Sequence, residues 1–334
     1  TLYTSYIKQS HAELPQHVKI YTSGDEESKV QEISHENITE VRELKADKEE
    51  ADTRIILHCR YAAEQGAQKI VVQSIDTDVL CLLVHRRQAI EAEEIFFLTG
   101  RETKHTDARR FVPVHEIYNA LTPFQLNILL PVYCLSGCDT TSMFCGHGKR
   151  TTYKILKTKA DSLQGLKDLG SSYPTEEQKQ ACMVFVRMLY NQTKNVSLNK
   201  LRCEMATKGI PTRKMPPTDN SLEQHILRCA YQLMIWKGAT SAIMTLPSPT
   251  QYGWTLSSET QNLEPVMTTQ PFAAPELMNH LVCDCSPHCT ETCTCLVNQQ
   301  GCTAECACCA HLPGFNSLEE TDCEKCTNPL TCLD

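Results

Sequence analysis

Lys69-Ile70-Val71-Val72-Gln73-Ser74-Ile75-Asp76-Thr77-Asp78 is a short, β-branched, nearly all-apolar run that stops at two acids. Such a run reads as a parallel strand buried on both faces. Upstream, Ile55, Ile56, Cys59, Ala62 and Ala63 recur at helical spacing, so Glu49 to Ala67 reads as a helix that Gly66 ends. Downstream, Val79 to Val84 reads as a helix, and Ile95-Phe96-Phe97-Leu98 as a second strand stopped by Thr99-Gly100. His17 to Tyr21 alternates as a strand does. Val114 to Leu121 and Phe124 to Leu135 are helical, the second interrupted at Pro131. Strands alternating with helices predict an α/β fold, a mainly parallel sheet flanked by helices, over residues 1–150. Residues 151–240 read as a basic helical extension. Its clearest segment is Ser221 to Trp236, with Asn220 as cap and Glu223 completing a capping box. Residues 241–282 have no base and several Pro, Ser and Thr, and read as a linker. Residues 283–334 are a Cys-rich tail.

The 334 residues are 41% apolar and 22% charged. That composition can bury a real core and excludes wholesale disorder or a collagen-like fibre. No stretch approaches about 18 consecutive apolar residues, so no membrane partner is expected. The chain opens at Thr1 without a basic-then-apolar leader, and the expectation is a nuclear or cytoplasmic, reducing setting and an N-terminally truncated first domain. The net charge of -8 is uneven. Residues 140–240 carry 16 Lys+Arg against 7 Asp+Glu, whereas residues 283–334 carry one base and eight acids. The basic block is a candidate nucleic-acid surface, for DNA in preference to RNA. Solvated helix faces would read the same way. The acidic tail suits a basic protein partner.

Three acidic motifs end or begin apolar segments: Glu49-Glu50-Ala51-Asp52-Thr53, Ser74-Ile75-Asp76-Thr77-Asp78, and Leu135-Ser136-Gly137-Cys138-Asp139-Thr140-Thr141-Ser142. An Asp at the carboxyl end of a buried strand points into the crevice where open α/β sheets bind ligands. Asp76 and Asp78 are two apart and would share a side in extended backbone. Paired carboxylates repel unless a cation lies between them, and hard oxygen ligands suit Mg²⁺ or Mn²⁺. Two such ions could serve phosphodiester hydrolysis. Each of these Asp residues taken alone also suits a helix cap or a turn.

The four motifs EEADTRIILH, SIDTDVLCLLVH, RRFVPVHEI and LSGCDTTSMFCGHGKRTTYK, in that order, resemble the PIN-like and flap-endonuclease superfamily, and more narrowly a group of transposon-associated animal proteins. The similarity covers roughly residues 15–240. It implies a metal-dependent nuclease in which Glu50, Asp52, Asp76, Asp78 and Asp139 hold two Mg²⁺ or Mn²⁺ ions. It also implies that Gly146, Gly148, Lys149 and Arg150, with Lys154 beyond them, form a Gly-rich hairpin that grips duplex phosphates. The superfamily's first-strand Asp has no counterpart upstream of Glu50, where Asp25 and Asp47 stand in turn-like or charged context.

Twelve of the 20 cysteines fall in the last 52 residues. Cys283, Cys285, Cys289, Cys293, Cys295, Cys302, Cys306, Cys308 and Cys309 are too closely repeated for one tetrahedral ion and suit a cluster in which thiolates bridge several Zn²⁺ ions. His288 and His311 could substitute as ligands. A disulfide framework is the alternative. The spacing resembles the tesmin-type CXC zinc domain over about 30 residues, which implies zinc and DNA binding. Those domains are basic and place a Tyr where this chain has Thr292. Lys325 is the single base after residue 282, so the tail is expected to hold zinc without gripping phosphate.

Overall fold

Three short antiparallel strands follow the N-terminal helix α1 (Leu2–Gln9): β1 (Ile20–Ser23), β2 (Val30–Ile33) and β3 (Ile38–Glu40). The computed structural model describes residues 2–23, 29–48, 50–100, 102, 106–270, 282–286, 288–298, 301–302, 306–308 and 327–328. Val30, Val41, Leu44 and Ala46 carry this meander onto Leu57 of helix α2 (Ala51–Glu64).

The quoted run becomes β4 (Lys69–Gln73), followed by α3 (Thr77–Arg86), β5 (Glu94–Thr99), β6 (Arg110–Pro113) and α4 (Val114–Asn119). β4 and β5 pair in parallel, Val71 opposite Phe96, whereas β6 pairs antiparallel to β5. The sheet is therefore mixed rather than mainly parallel. The physical reason is the β5–β6 connection, residues 100–109, which is shorter than a parallel crossover requires. β4 is also not buried on both faces. It is an edge strand in which only Ile70 and Val72 reach the core, and Val71 stays 48% exposed.

The rest is helical: α5 (Pro123–Leu135), α6 (Lys149–Lys159), α7 (Glu176–Leu189), α8 (Leu198–Ala206) and α9 (Asp219–Lys237). α5 is apolar nearly all round, burying Ile128, Leu130, Val132, Cys134 and Leu135, and such a helix must be covered on several sides. α3, α6 and α9 cover it. One core therefore runs from Ile56 through Leu156 and Phe185 to Trp236, and residues 1–268 form a single compact unit with no division at residue 150. Pro131 does not interrupt α5. The carbonyl it leaves unbonded belongs to Asn127, an exposed residue that water can reach.

α9 is capped by Thr218, whose side chain accepts from the Ser221 N–H, not by Asn220. Glu223 points away from that cap and pairs with Lys179 at 2.7 Å. Residues 241–268 are packed rather than a free linker. Tyr252 is buried against Tyr173 and Tyr231, and β7 (Trp254–Leu256) pairs with β8 (Leu263–Pro265). Among the described residues no helix is long and apolar enough to cross a membrane. The second unit, residues 269–334, carries a four-residue helix, Thr294–Val297, among clustered cysteines.

Candidate functional site

Two helix N-termini meet at the acids. Asp52 lies in the first turn of α2, Asp76 is the N-cap of α3, and Asp78 sits in its first turn. Asp76 and Asp78 thus converge through a capping turn, in which Asp76 accepts the Asp78 N–H at 2.8 Å, and not through the pleat of a strand. Oxygens of Asp52, Asp76 and Asp78 lie within 4.8 Å of one another, so the trio can hold a metal ion. Glu50 and Asp139 line the same cavity of about 180 Å³, with Ala51, Cys138, Thr140, Gln232 and Trp236. All five acids named from the sequence therefore share one wall, with three in tight register and Asp139 exposed.

The carboxylates there repel one another. Burial pushes Asp52 up to about 6, with Asp76, Asp78, Glu50 and Asp139 adding to the shift. Burial also raises Asp78, against a hydrogen bond from Tyr133. The partial positive ends of α2 and α3 offset part of this repulsion. A divalent cation would offset more, and hard carboxylate oxygens suit Mg²⁺ or Mn²⁺ chemically.

Sequence reasoning did not find the supporting groups. The Tyr133 hydroxyl donates to Asp78 Oδ1 at 2.6 Å and so accepts from Thr77 Oγ1, also at 2.6 Å. Gln232 Nε2 donates to both Glu50 oxygens at 3.1 and 3.3 Å, while its Oε1 accepts from Thr140 at 2.8 Å. The Trp236 indole N–H is buried with no acceptor among the described residues. The one legible signal was a polar Gln inside the apolar face of α9. Gly137 takes a positive φ of 104°, and a Cβ there would fall 2.7 Å from the Met143 backbone, so the turn that carries Asp139 needs glycine.

Of the expected phosphate-gripping residues, Gly146 and Gly148 form an exposed turn into α6, and Arg150 and Lys154 are exposed on that helix. Lys149 is a correction. Its ammonium turns inward, donating to the Tyr133 carbonyl at 2.8 Å, to Ser136 Oγ at 3.0 Å and to the Gly137 carbonyl. It also lies 3.4 Å from the Tyr133 ring centre. The last turn of α5 leaves carbonyls without helix partners, and a cation satisfies them better than solvent could inside the core. Lys149→Ala is expected to destabilise the first unit by about 2–4 kcal/mol by removing this donor from the Gly137 and Tyr133 carbonyls, of which the second keeps only its bond from Ser136 Oγ. Urea denaturation would check this.

His85 and His225 are both pushed down to about 4 by burial, and each meets a main-chain carbonyl, of Leu126 and Leu135 respectively. The unfolded chain takes up these protons from pH 6.5 downward, whereas the folded chain resists until about 4. Their contribution to stability is therefore present above pH 6.5 and is lost as pH falls toward 4. The urea midpoint should fall over that window, and a His85→Asn/His225→Asn variant should show a shallower dependence.

Among the described residues of the tail, sulfurs gather in three tetrads: Cys283, Cys285, Cys289, Cys293; Cys283, Cys293, Cys295, Cys302; and Cys283, Cys289, Cys302, Cys308. Sulfurs within each tetrad lie within 4.8 Å of one another, and Cys306 Sγ is 3.6 Å from Cys295 Sγ. The cluster can hold metal. Burial raises the Cys293 thiol, but the Leu296 N–H and Cys283 outweigh it and bring Cys293 below an ordinary thiol, which favours a thiolate ligand. Asn328 Nδ2 donates to Cys302 Sγ at 3.3 Å, and Thr327 Oγ1 donates to the Cys289 carbonyl at 2.7 Å. Cys309, His311, Cys323, Cys326 and Cys332 lie outside the described residues. No protein-family model, no curated protein and no solved structure matches this chain.

Proposed function

We propose that the first unit is a divalent-metal-dependent, PIN/flap-nuclease-like phosphodiesterase and that the tail is a structural zinc cluster. The observation that carries the first reading is the trio Asp52, Asp76 and Asp78, clustered at two helix N-termini in a cavity that Glu50 and Asp139 also line. The trio would hold one Mg²⁺ or Mn²⁺, and Glu50 and Asp139 would serve a second. Bound there, the ions supply a water of lowered pKa and charge stabilisation at the leaving oxygen. Tyr133 holds Asp78 in place and Gln232 holds Glu50. The Trp236 N–H can donate to an oxygen of the bound phosphodiester. Exposed Arg150 and Lys154 hold the backbone of the strand, which fits the excess of bases in residues 140–240.

For the tail, Cys283 belongs to all three tetrads and Cys289, Cys293 and Cys302 to two each, so tetrahedral Zn²⁺ ions there would share bridging thiolates. Metal would then supply most of the tail's folding free energy. Its acid excess argues against phosphate contact by the tail and for a basic protein partner.

The test combines Mn²⁺ titration by electron paramagnetic resonance with nicking of flap and single-stranded DNA and RNA in Mg²⁺. Mn²⁺ binding that vanishes on loss of the Asp pair, together with cleavage, supports the reading. Salt-dependent nucleic-acid binding without Mn²⁺ binding or cleavage would overturn it in favour of a non-catalytic nucleic-acid or chromatin-binding role.

A further inference from the structure

A second cavity, of about 190 Å³, lies in the first unit and is walled in part by Ser142 to Cys145, the residues that follow the Asp139 turn. That volume far exceeds the ~30 Å³ share of one water. Its walls are unusual in three ways.

The first is His225, only 4% exposed. Its Nε2 lies 2.9 Å from the Leu135 carbonyl, and a carbonyl only accepts, so Nε2 carries the proton. Nδ1 is then a lone-pair acceptor, and it is buried with no hydrogen-bond partner among the described residues. A buried acceptor left unmatched costs about 1–3 kcal/mol, which a ligand donating to it would recover.

The second is aromatic and sulfur surface. Phe144 packs edge-on against both His225 and Tyr190, with ring centres 5.6 and 6.4 Å apart, and Met215 lines the same wall. Flat apolar surfaces of this kind suit a planar ring. The third is charge. Arg228 and Arg213 both line the cavity. Arg228 is tied by its guanidinium to the Gly253 and Val266 carbonyls, and Arg213 is exposed at the surface. Among the residues lining this cavity there is no acid, so its field is positive.

We propose that this cavity binds a planar nitrogen heterocycle that donates an N–H to His225 Nδ1 and carries an anionic group toward Arg213, the chemistry of a nucleotide. The proposal goes beyond the metal-site reading and does not depend on it. The same chemistry could come from a free mononucleotide or from one unit of a nucleic-acid strand.

Isothermal titration calorimetry of the full chain in EDTA, with adenosine 5′-monophosphate as probe and adenosine and ribose 5-phosphate as partial probes, tests it without any metal chemistry. The monophosphate is expected to bind at least 10-fold more tightly than either part. Arg213→Glu, at an exposed position, should weaken it at least 10-fold while leaving adenosine unchanged. His225→Phe keeps a ring and removes the acceptor, and should weaken both. If His225→Phe does not fold, the Arg213→Glu comparison still decides. A short single strand that competes with the monophosphate assigns the cavity to a strand, and one that does not compete assigns it to a free nucleotide. No measurable binding of the monophosphate, or equal binding by wild type and Arg213→Glu, would overturn the proposal.

Discussion

Stripping metal from the tail with a chelator at neutral pH is expected to abolish its structure while the first unit keeps its urea midpoint. Among its described residues the tail has little else to hold it. Beside the cysteines, Val282 and Leu296 are the apolar side chains that pack on the sulfur cluster among the described residues, and the helix Thr294–Val297 is a single turn. An isolated helix of that length does not persist in water. Structural zinc supplies about 10–16 kcal/mol of apparent binding free energy per site, which is folding free energy when no apolar core is present. Hydrogen exchange should therefore become complete over residues 282–308 after chelation. Fluorescence of Trp236 and Trp254, both in the first unit, should be unchanged.

Within the cluster, Cys302→Ser removes a sulfur common to two tetrads, and native mass spectrometry should show more than one zinc lost. Cys285→Ser removes a sulfur that belongs to one tetrad and should cost at most one ion. A tail that survives chelation but melts in reductant would instead be a disulfide scaffold, and the zinc reading would fail.

The second large effect is expected at the carboxylates. Asp76→Asn/Asp78→Asn should lower hydrolysis at least 1,000-fold, a barrier change of about 4 kcal/mol. Asn is the informative replacement because Asp76 also caps α3, and Asn keeps an acceptor for the Asp78-position N–H. The charge is removed and the cap remains. Metal-free stability should therefore hold or rise, since two of the mutually repelling charges around Asp52 are gone. Mn²⁺ affinity should fall at least 100-fold. Loss of activity together with loss of fold would identify the pair as structural, and undiminished activity would remove the metal mechanism altogether.

Much of this was legible along the chain. β4, α3, β5 and α5 lie where the apolar periodicity places them, because short-range spacing dictates which local structure can bury those side chains. The three acidic motifs were identifiable because each ends or opens an apolar segment, which leaves a charged group at the edge of a core, and the set of five acids was what the family resemblance implied. Lys149 was misread for the complementary reason. A Lys after Gly-His-Gly looks solvent-facing until the Tyr133 and Gly137 carbonyls, at and just past the end of α5, are seen beneath it. The Asn220 cap failed by two residues because Thr, Asp and Asn in succession offer equivalent caps, and packing selects among them.

By itself, the sequence determined the α/β alternation, the separation of a cysteine-rich end and the residue types able to bind hard and soft metals, since these depend on composition and short-range period. Tertiary structure alone decided the mixed pairing of the sheet, the shared core that joins residues before and after 150, and the Tyr133, Gln232 and Trp236 contacts around the acids. Those contacts join residues about 55 to 182 positions apart, and no local propensity encodes which distant side chain will fill a given space.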